Sequence, residues 1–148
     1  MAYNVFVLQT VLVLHMKNLI ILLLILSNIS CDSEDDINPN QAFSIENQKT
    51  KNFTYDSKTM SLKVSNIQDS RCPENVQCVR AGEAIVTFNF TLDGTKLTDQ
   101  VLCINCESPL VYPNELKLGD NTLKLSDVKP FPNTSMVGTL KSAVFEIR

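Results

Sequence analysis

From Glu83 to Gly94 the chain reads EAIVTFNFTLDG, and this alternation restricts the fold more than any other stretch. Ala84, Val86, Phe88, Phe90 and Leu92 fall on one face of an extended chain, while Thr87, Asn89 and Thr91 fall on the other. A period of two with one apolar face means a half-buried strand. Asp93-Gly94 is a strong signal for a tight hairpin into the residues from Lys96 onwards.

Shorter runs of the same kind occur at Phe43 to Glu46, Phe53 to Tyr55, Met60 to Ile67, Leu97 to Ile104, Thr122 to Val128 and Ala143 to Ile147. Two of them change phase, since Leu62 and Val64 are followed by Ile67, and Leu123 and Leu125 by Val128; bulges or strand ends are expected there. No segment of helical length is amphipathic. A single open sheet would leave one face wet, whereas two stacked sheets bury the apolar faces of all the strands. The expectation is therefore an all-β fold, an antiparallel sandwich of about seven strands, immunoglobulin-like in general architecture and spanning residues 41–148. Such a domain has an adequate but small core, which covalent cross-links would support.

The N-terminus sets the compartment. From Met16 the sequence MKNLIILLLILSNISC has one cation, an unbroken apolar run from Leu19 to Leu26 and small or polar residues up to Cys31. This is the pattern of a secretory signal peptide over residues 1–30, with Met16 as the expected true start because residues 1–15 contain no Lys or Arg. A membrane-spanning anchor from Val5 to Leu26 is the rival, weakened by Gln9, Thr10, His15, Lys17 and Asn18.

Ser30-Cys31 resembles the lipobox of bacterial lipoproteins, in which the Cys after the cut is diacylated and becomes the new N-terminus, although Asn28 stands where Leu, Val or Ile is usual. Ser33 to Asp36 (SEDD) is similar to the Ser-plus-acidic export tags of Bacteroidota surface lipoproteins. The resemblance implies lipidation of Cys31, an anchor through acyl chains in the outer membrane or at the cell surface, and an acidic tether over residues 31–40.

Without residues 1–30 the chain keeps 118 residues, with 12 Lys and Arg against 16 Asp and Glu, and loses its single histidine, His15. That length gives one domain. The acidic balance argues against nucleic acid as a partner. The loss of His15 removes Ser-His-Asp and Cys-His catalysis, His metal ligands and a histidine general base.

Four cysteines remain beyond Cys31: Cys72, Cys78, Cys103 and Cys106. An even number in an exported domain points to two disulfides, with three possible connectivities. Local pairing, Cys72 with Cys78 and Cys103 with Cys106, is the expectation because each pair closes its own loop between strands, although loop entropy alone favours a crossed pairing with longer loops. A four-thiolate zinc site is disfavoured because Cys72 and Cys78 are separated by five residues. A thiol-disulfide centre at Cys103-Ile-Asn-Cys106 lacks the helix N-terminus that would activate a thiol, and no cofactor is expected.

In DSRCP, Asp69 and Ser70 suit turn backbone, Pro73 stiffens the bend, and Arg71 has Glu74 and Glu83 nearby as partners or serves as a ligand contact. Together, DSRCP, Cys78 and AGEAIV resemble a motif of small exported bacterial proteins without an assigned activity, in which Trp usually stands at the position of Arg80. LKLSDVKPFP and the C-terminal strand extend the likeness, which implies a disulfide-closed loop between sandwich strands. The leading functional expectation is a non-catalytic surface lipoprotein binding a protein or glycan, with Arg71, Arg80, Tyr112 and Phe131 as candidate contacts. The alternatives are an enzyme, using Cys103 and Cys106 or the carboxylates Asp69, Glu74 and Glu83, and a secreted peptidase inhibitor.

Overall fold

The structure, a computed structural model, describes residues 35–106, 112–136 and 138–148. Nine strands follow one another: β1 (Asp35–Asp36), β2 (Ala42–Glu46), β3 (Thr50–Tyr55), β4 (Lys58–Asp69), β5 (Ala84–Leu92), β6 (Thr95–Ile104), β7 (Glu115–Leu118), β8 (Asn121–Lys129) and β9 (Ser142–Ile147). They build a five-stranded sheet in the order β1-β3-β4-β5-β6 and a four-stranded sheet in the order β2-β9-β8-β7. Every neighbouring pair is antiparallel except β1 beside β3. No helix occurs among the described residues.

This is the all-β sandwich that the alternation predicts. The seven expected runs are all strands, and the two additional ones, β1 and β7, are two- and four-residue pieces at sheet edges, too short to show a period. The dry face of β5 is complete, with Ala84, Val86, Phe88 and Phe90 inaccessible to solvent. Those side chains meet Leu123, Leu125, Phe145 and Ile147 of the other sheet in one core cluster. Aromatic rings close it: Phe88 lies edge-on to Phe145 at 5.6 Å between centroids, and Phe43 tilts against Phe53 at 5.0 Å. Such pairs add directional attraction to the burial of their area.

Both expected phase shifts are bulges. The β4–β5 register jumps between Val64 and Asn66, and the β8–β9 register between Leu125 and Asp127. Each extra residue exchanges the faces, so that Ile67 follows Leu62 and Val64 inward and Val128 follows Leu123 and Leu125. A third bulge, between Phe88 and Phe90, sets Asn89 opposite both Thr98 and Asp99 on the open edge of β6. Asp99 there has a φ of 52°, and its N–H donates to Asn89 Oδ1 at 2.9 Å.

The tether expected over residues 31–40 is corrected in its second half. Asp35 and Asp36 pair with Phe53 and Thr54, and Ile37 is buried in the core cluster. Asn40 N–H donates to Ile147 O at 2.9 Å, fastening this stretch to the second sheet as well. An apolar residue between polar neighbours was enough to dock the segment. The signal peptide, the rival anchor, Cys31, Ser33 and Glu34 lie outside the described residues.

Candidate functional site

The β4 bulge determines what happens at one end of the sandwich. Beyond it, Ile67 stands opposite Val86 and Asp69 opposite Ala84, so Asp69 shares the core-facing side with two fully buried residues. A carboxylate placed there needs a partner. Arg71 supplies it with two parallel bonds, Nε to Oδ1 at 2.8 Å and Nη2 to Oδ2 at 2.9 Å. Its Nη1 donates to Asp127 Oδ1 at 3.1 Å, and Nη2 also donates to the backbone oxygen of Val128. The guanidinium lies over the ring of Phe131, 4.4 Å from its centroid. Lys141 Nζ completes the cluster, donating to Asp69 Oδ2 at 2.8 Å and to Pro130 O at 2.9 Å.

Arg71 is only 4% exposed and the Asp69 side chain 2%. Burial pushes the Asp69 carboxyl upward, but the hydrogen bonds from Arg71 and Lys141, with the charge of Arg71, outweigh it and hold the group below its ordinary value. The Asp69 hydrogen bond raises Arg71 above its own ordinary value, against the opposing effect of burial. Both groups are therefore locked in their charged forms.

Outside this clamp, the β4–β5 connection is held as a closed loop. Ser70 N–H donates to Glu83 O at 2.8 Å and Cys72 N–H to Ala81 O at 2.7 Å. Gly82, at φ +70°, lets the two limbs approach so closely that a Cβ would sit 2.0 Å from Ser70 O. Cys72 and Cys78 are paired across the loop with Cα atoms 5.9 Å apart. The β8–β9 connection braces it through Glu74 N–H to Pro132 O, Thr134 N–H to Asn75 Oδ1 and Asn133 Nδ2 to Glu74 Oε1.

The second cysteine pair lies along the neighbouring strands. Cys103 is opposite Ile85, next to the pair of Leu102 and Val86 that points into the core, so its side chain sits on the outer face. It is nevertheless buried, and its N–H donates to Pro113 O at 2.8 Å, where the β6–β7 connection crosses over. Cys106 pairs with it, again with Cα atoms 5.9 Å apart. Glu83 Oε2 lies 3.2 Å from Cys106 Sγ. The cysteines thus form the two local pairs and do not gather into a four-thiolate set: among the described residues, the group of candidate metal donors within 4.8 Å of one another is Glu83, Cys103 and Cys106.

Of the candidate ligand contacts, Arg71 requires a correction. Its donors are spent on Asp69, Asp127 and Val128 inside the protein, and its partners are not Glu74 or Glu83. Phe131 uses one face on Arg71 and keeps 45% of its surface exposed. Tyr112 is on the β6–β7 connection, in a cleft with Cys103, Cys106, Asn114 and Lys124. Arg80 is exposed on the closed loop. The three carboxylates considered for catalysis have separate partners, Asp69 in the clamp, Glu74 on Asn133 and Glu83 beside Cys106. Sequence reasoning missed Asp127 and Lys141; the phase break before Val128 was the one available sign that Asp127 occupies a bulge.

Compared with protein-family models, curated proteins and solved structures, the chain matches none.

Proposed function

We propose that the chain is a non-catalytic lipoprotein of the outer membrane or cell surface, anchored through acyl chains on Cys31, whose folded domain binds a protein or glycan partner through the loops at one end of the sandwich. The likeness of Ser30-Cys31 to a lipobox, and of DSRCP to AGEAIV to small exported bacterial proteins, supports the address. In that oxidising setting Cys72–Cys78 and Cys103–Cys106 are disulfides, and Cα separations of 5.9 Å suit such bonds.

One observation carries the binding role. Val76, Val79, Phe131, Met136 and Leu140 are exposed large apolar residues, and all five belong to the two connections that brace each other at the clamped end. Val79 is as open to solvent as a residue can be. Exposed apolar residues gathered on a rigid base are what partner binding uses, because little order remains to be imposed on association.

The address is tested by replacing Cys31 with Ser. The protein should leave the detergent phase and its mass should fall by the acyl groups; a wild-type protein without acyl mass would overturn the anchor. For the binding end, a photo-cross-linker at Val79 on intact cells should yield a discrete adduct that Met136→Asp weakens, while one at Thr98 yields none. Equal adducts from both positions would sink the loop assignment.

A second reading, a secreted peptidase inhibitor, is favoured by the exposure of Val79 directly after Cys78 in a closed loop. It requires tight inhibition of a peptidase that accepts small aliphatic side chains, lost in Val79→Asp. Rapid cleavage of the loop would exclude it.

A further inference from the structure

We propose that the Cys103–Cys106 pair, when reduced, forms with Glu83 a binding site for a thiophilic divalent cation of the zinc class. One donor atom from each of the three residues lies within 4.8 Å of the other two. Two thiolates and a carboxylate are a donor set that zinc accepts, and two intervening residues between cysteines is a common ligand spacing. One edge of the coordination figure is already present: tetrahedral zinc at about 2.3 Å from sulfur and about 2.0 Å from oxygen needs the two donors roughly 3.5 Å apart, and Glu83 Oε2 is 3.2 Å from Cys106 Sγ.

The scaffold holds Glu83 and Cys103 independently of the sulfur pair. Glu83 is fixed by Ser70, whose N–H and Oγ both donate to Glu83 O at 2.8 and 3.0 Å. Ala84, the next residue, is opposite Ile104 in the sheet, which keeps Glu83 level with the cysteines. Cys103 is held by its own ladder position and by Pro113 O. Reduction thus frees two thiols in a place where the third ligand already waits. Tyr112, Asn114 and Lys124 line a cleft beside Cys103 and Cys106, from which water would take the fourth position.

The chemistry balances in two steps. A dithiol reductant transfers two electrons and two protons to the Cys103–Cys106 bond, giving two thiols and its own disulfide. Binding of the cation then releases those two protons as both sulfurs ligate as thiolates, with Glu83 contributing its existing carboxylate. The oxidised protein has no free thiol to offer and holds no cation here. The site is consequently controlled by the redox state of the pair; it stands independently of the lipid anchor and shares Glu83 with the β4–β5 connection.

Anaerobic titration of the full chain in detergent with cobalt(II), then zinc in competition, tests this. The reduced protein should bind one cobalt per chain with a thiolate-to-metal charge-transfer band, and the oxidised protein none. Glu83→Gln should weaken binding by about tenfold or more, and Cys103→Ser with Cys106→Ser should abolish it, while Cys72→Ser with Cys78→Ser keeps it. Where that last variant does not fold, the reciprocal pair still decides. Absence of the band in the reduced protein, its persistence without Cys103 and Cys106, or unchanged affinity in Glu83→Gln would each overturn the proposal.

Discussion

Arg71 Nη1 donates to Asp127 Oδ1 at 3.1 Å, and with this bond a residue that follows β4 of one sheet is fastened to β8 of the other. Two bulges, one in each sheet, make it possible. The first turns Asp69 inward beneath the guanidinium, and the second sets Asp127 and the Val128 carbonyl against its far side. The motif DSRCP is therefore first an internal clamp, and the exposed loop beyond Cys72 is built on it.

Removing the clamp should be expensive. Arg71→Leu leaves Asp69 buried with Lys141 as its remaining cation, and breaking a buried pair by deleting one partner costs about 3–5 kcal/mol. Asp127→Asn should cost less, about 0.5–1 kcal/mol, since that side chain is 39% exposed. Urea denaturation of both variants checks the ranking. Equal losses would mean that Asp69 is not the partner that matters.

Acid should act through Asp69. Its folded-state value is held below the ordinary one, so the unfolded chain takes up this proton first as pH falls. The stability it contributes is fully present above the unfolded value of about 3.9 and drains away as pH falls through the lower, folded value. Unfolding free energies measured from pH 6 downward should decline in that range, and Asp69→Asn, less stable at neutral pH, should decline less steeply. A parallel decline in both proteins would sink the assignment.

Gly82 should tolerate no side chain. Its φ of +70° is unfavourable to other residues, and the space a Cβ needs is occupied by the Ser70 carbonyl rather than by a flexible side chain. Gly82→Ala is expected to cost about 2 kcal/mol or more, read as a lowered Tm. Gly94→Ala meets nothing within 4 Å and should show the smaller cost of its turn conformation alone. If the two substitutions cost the same, the close approach at Ser70 is not what constrains position 82.

The sheets were legible from Ala84, Val86, Phe88 and Phe90 because burial of one face is a local, periodic property. The bulges were legible for the same reason: Ile67 and Val128 are apolar at the wrong parity. The clamp was not. Arg71 and Asp127 are 56 residues apart, and only the stacking of the sheets brings them together. Nearness in sequence favoured Glu74 and Glu83 as partners, yet Glu74 is drawn to Asn133 and Glu83 to the side of Cys106. Ile37 was overlooked because a lone apolar residue among polar ones has no period to reveal it.

The two cysteine pairs should contribute unequally to different properties. Each closes a short loop, six residues apart in sequence for Cys72 and Cys78 and three for Cys103 and Cys106, so the chain-entropy contribution is about 2 kcal/mol for either. Their surroundings differ. The Cys72–Cys78 loop is also held by the Ser70–Glu83 and Cys72–Ala81 backbone bonds, whereas Cys103 lies under the crossover to the second sheet. Replacing Cys72 and Cys78 with Ala should therefore lower stability by about 2 kcal/mol while hydrogen exchange at β6 and β7 stays unchanged. Replacing Cys103 and Cys106 should cost a similar amount and speed exchange at the Cys103 amide, which bonds Pro113. Peptide mapping without reduction fixes the premise: a fragment joining Cys72 to Cys103 or Cys106 would replace two local staples with a crossed pair and reverse the expected exchange pattern.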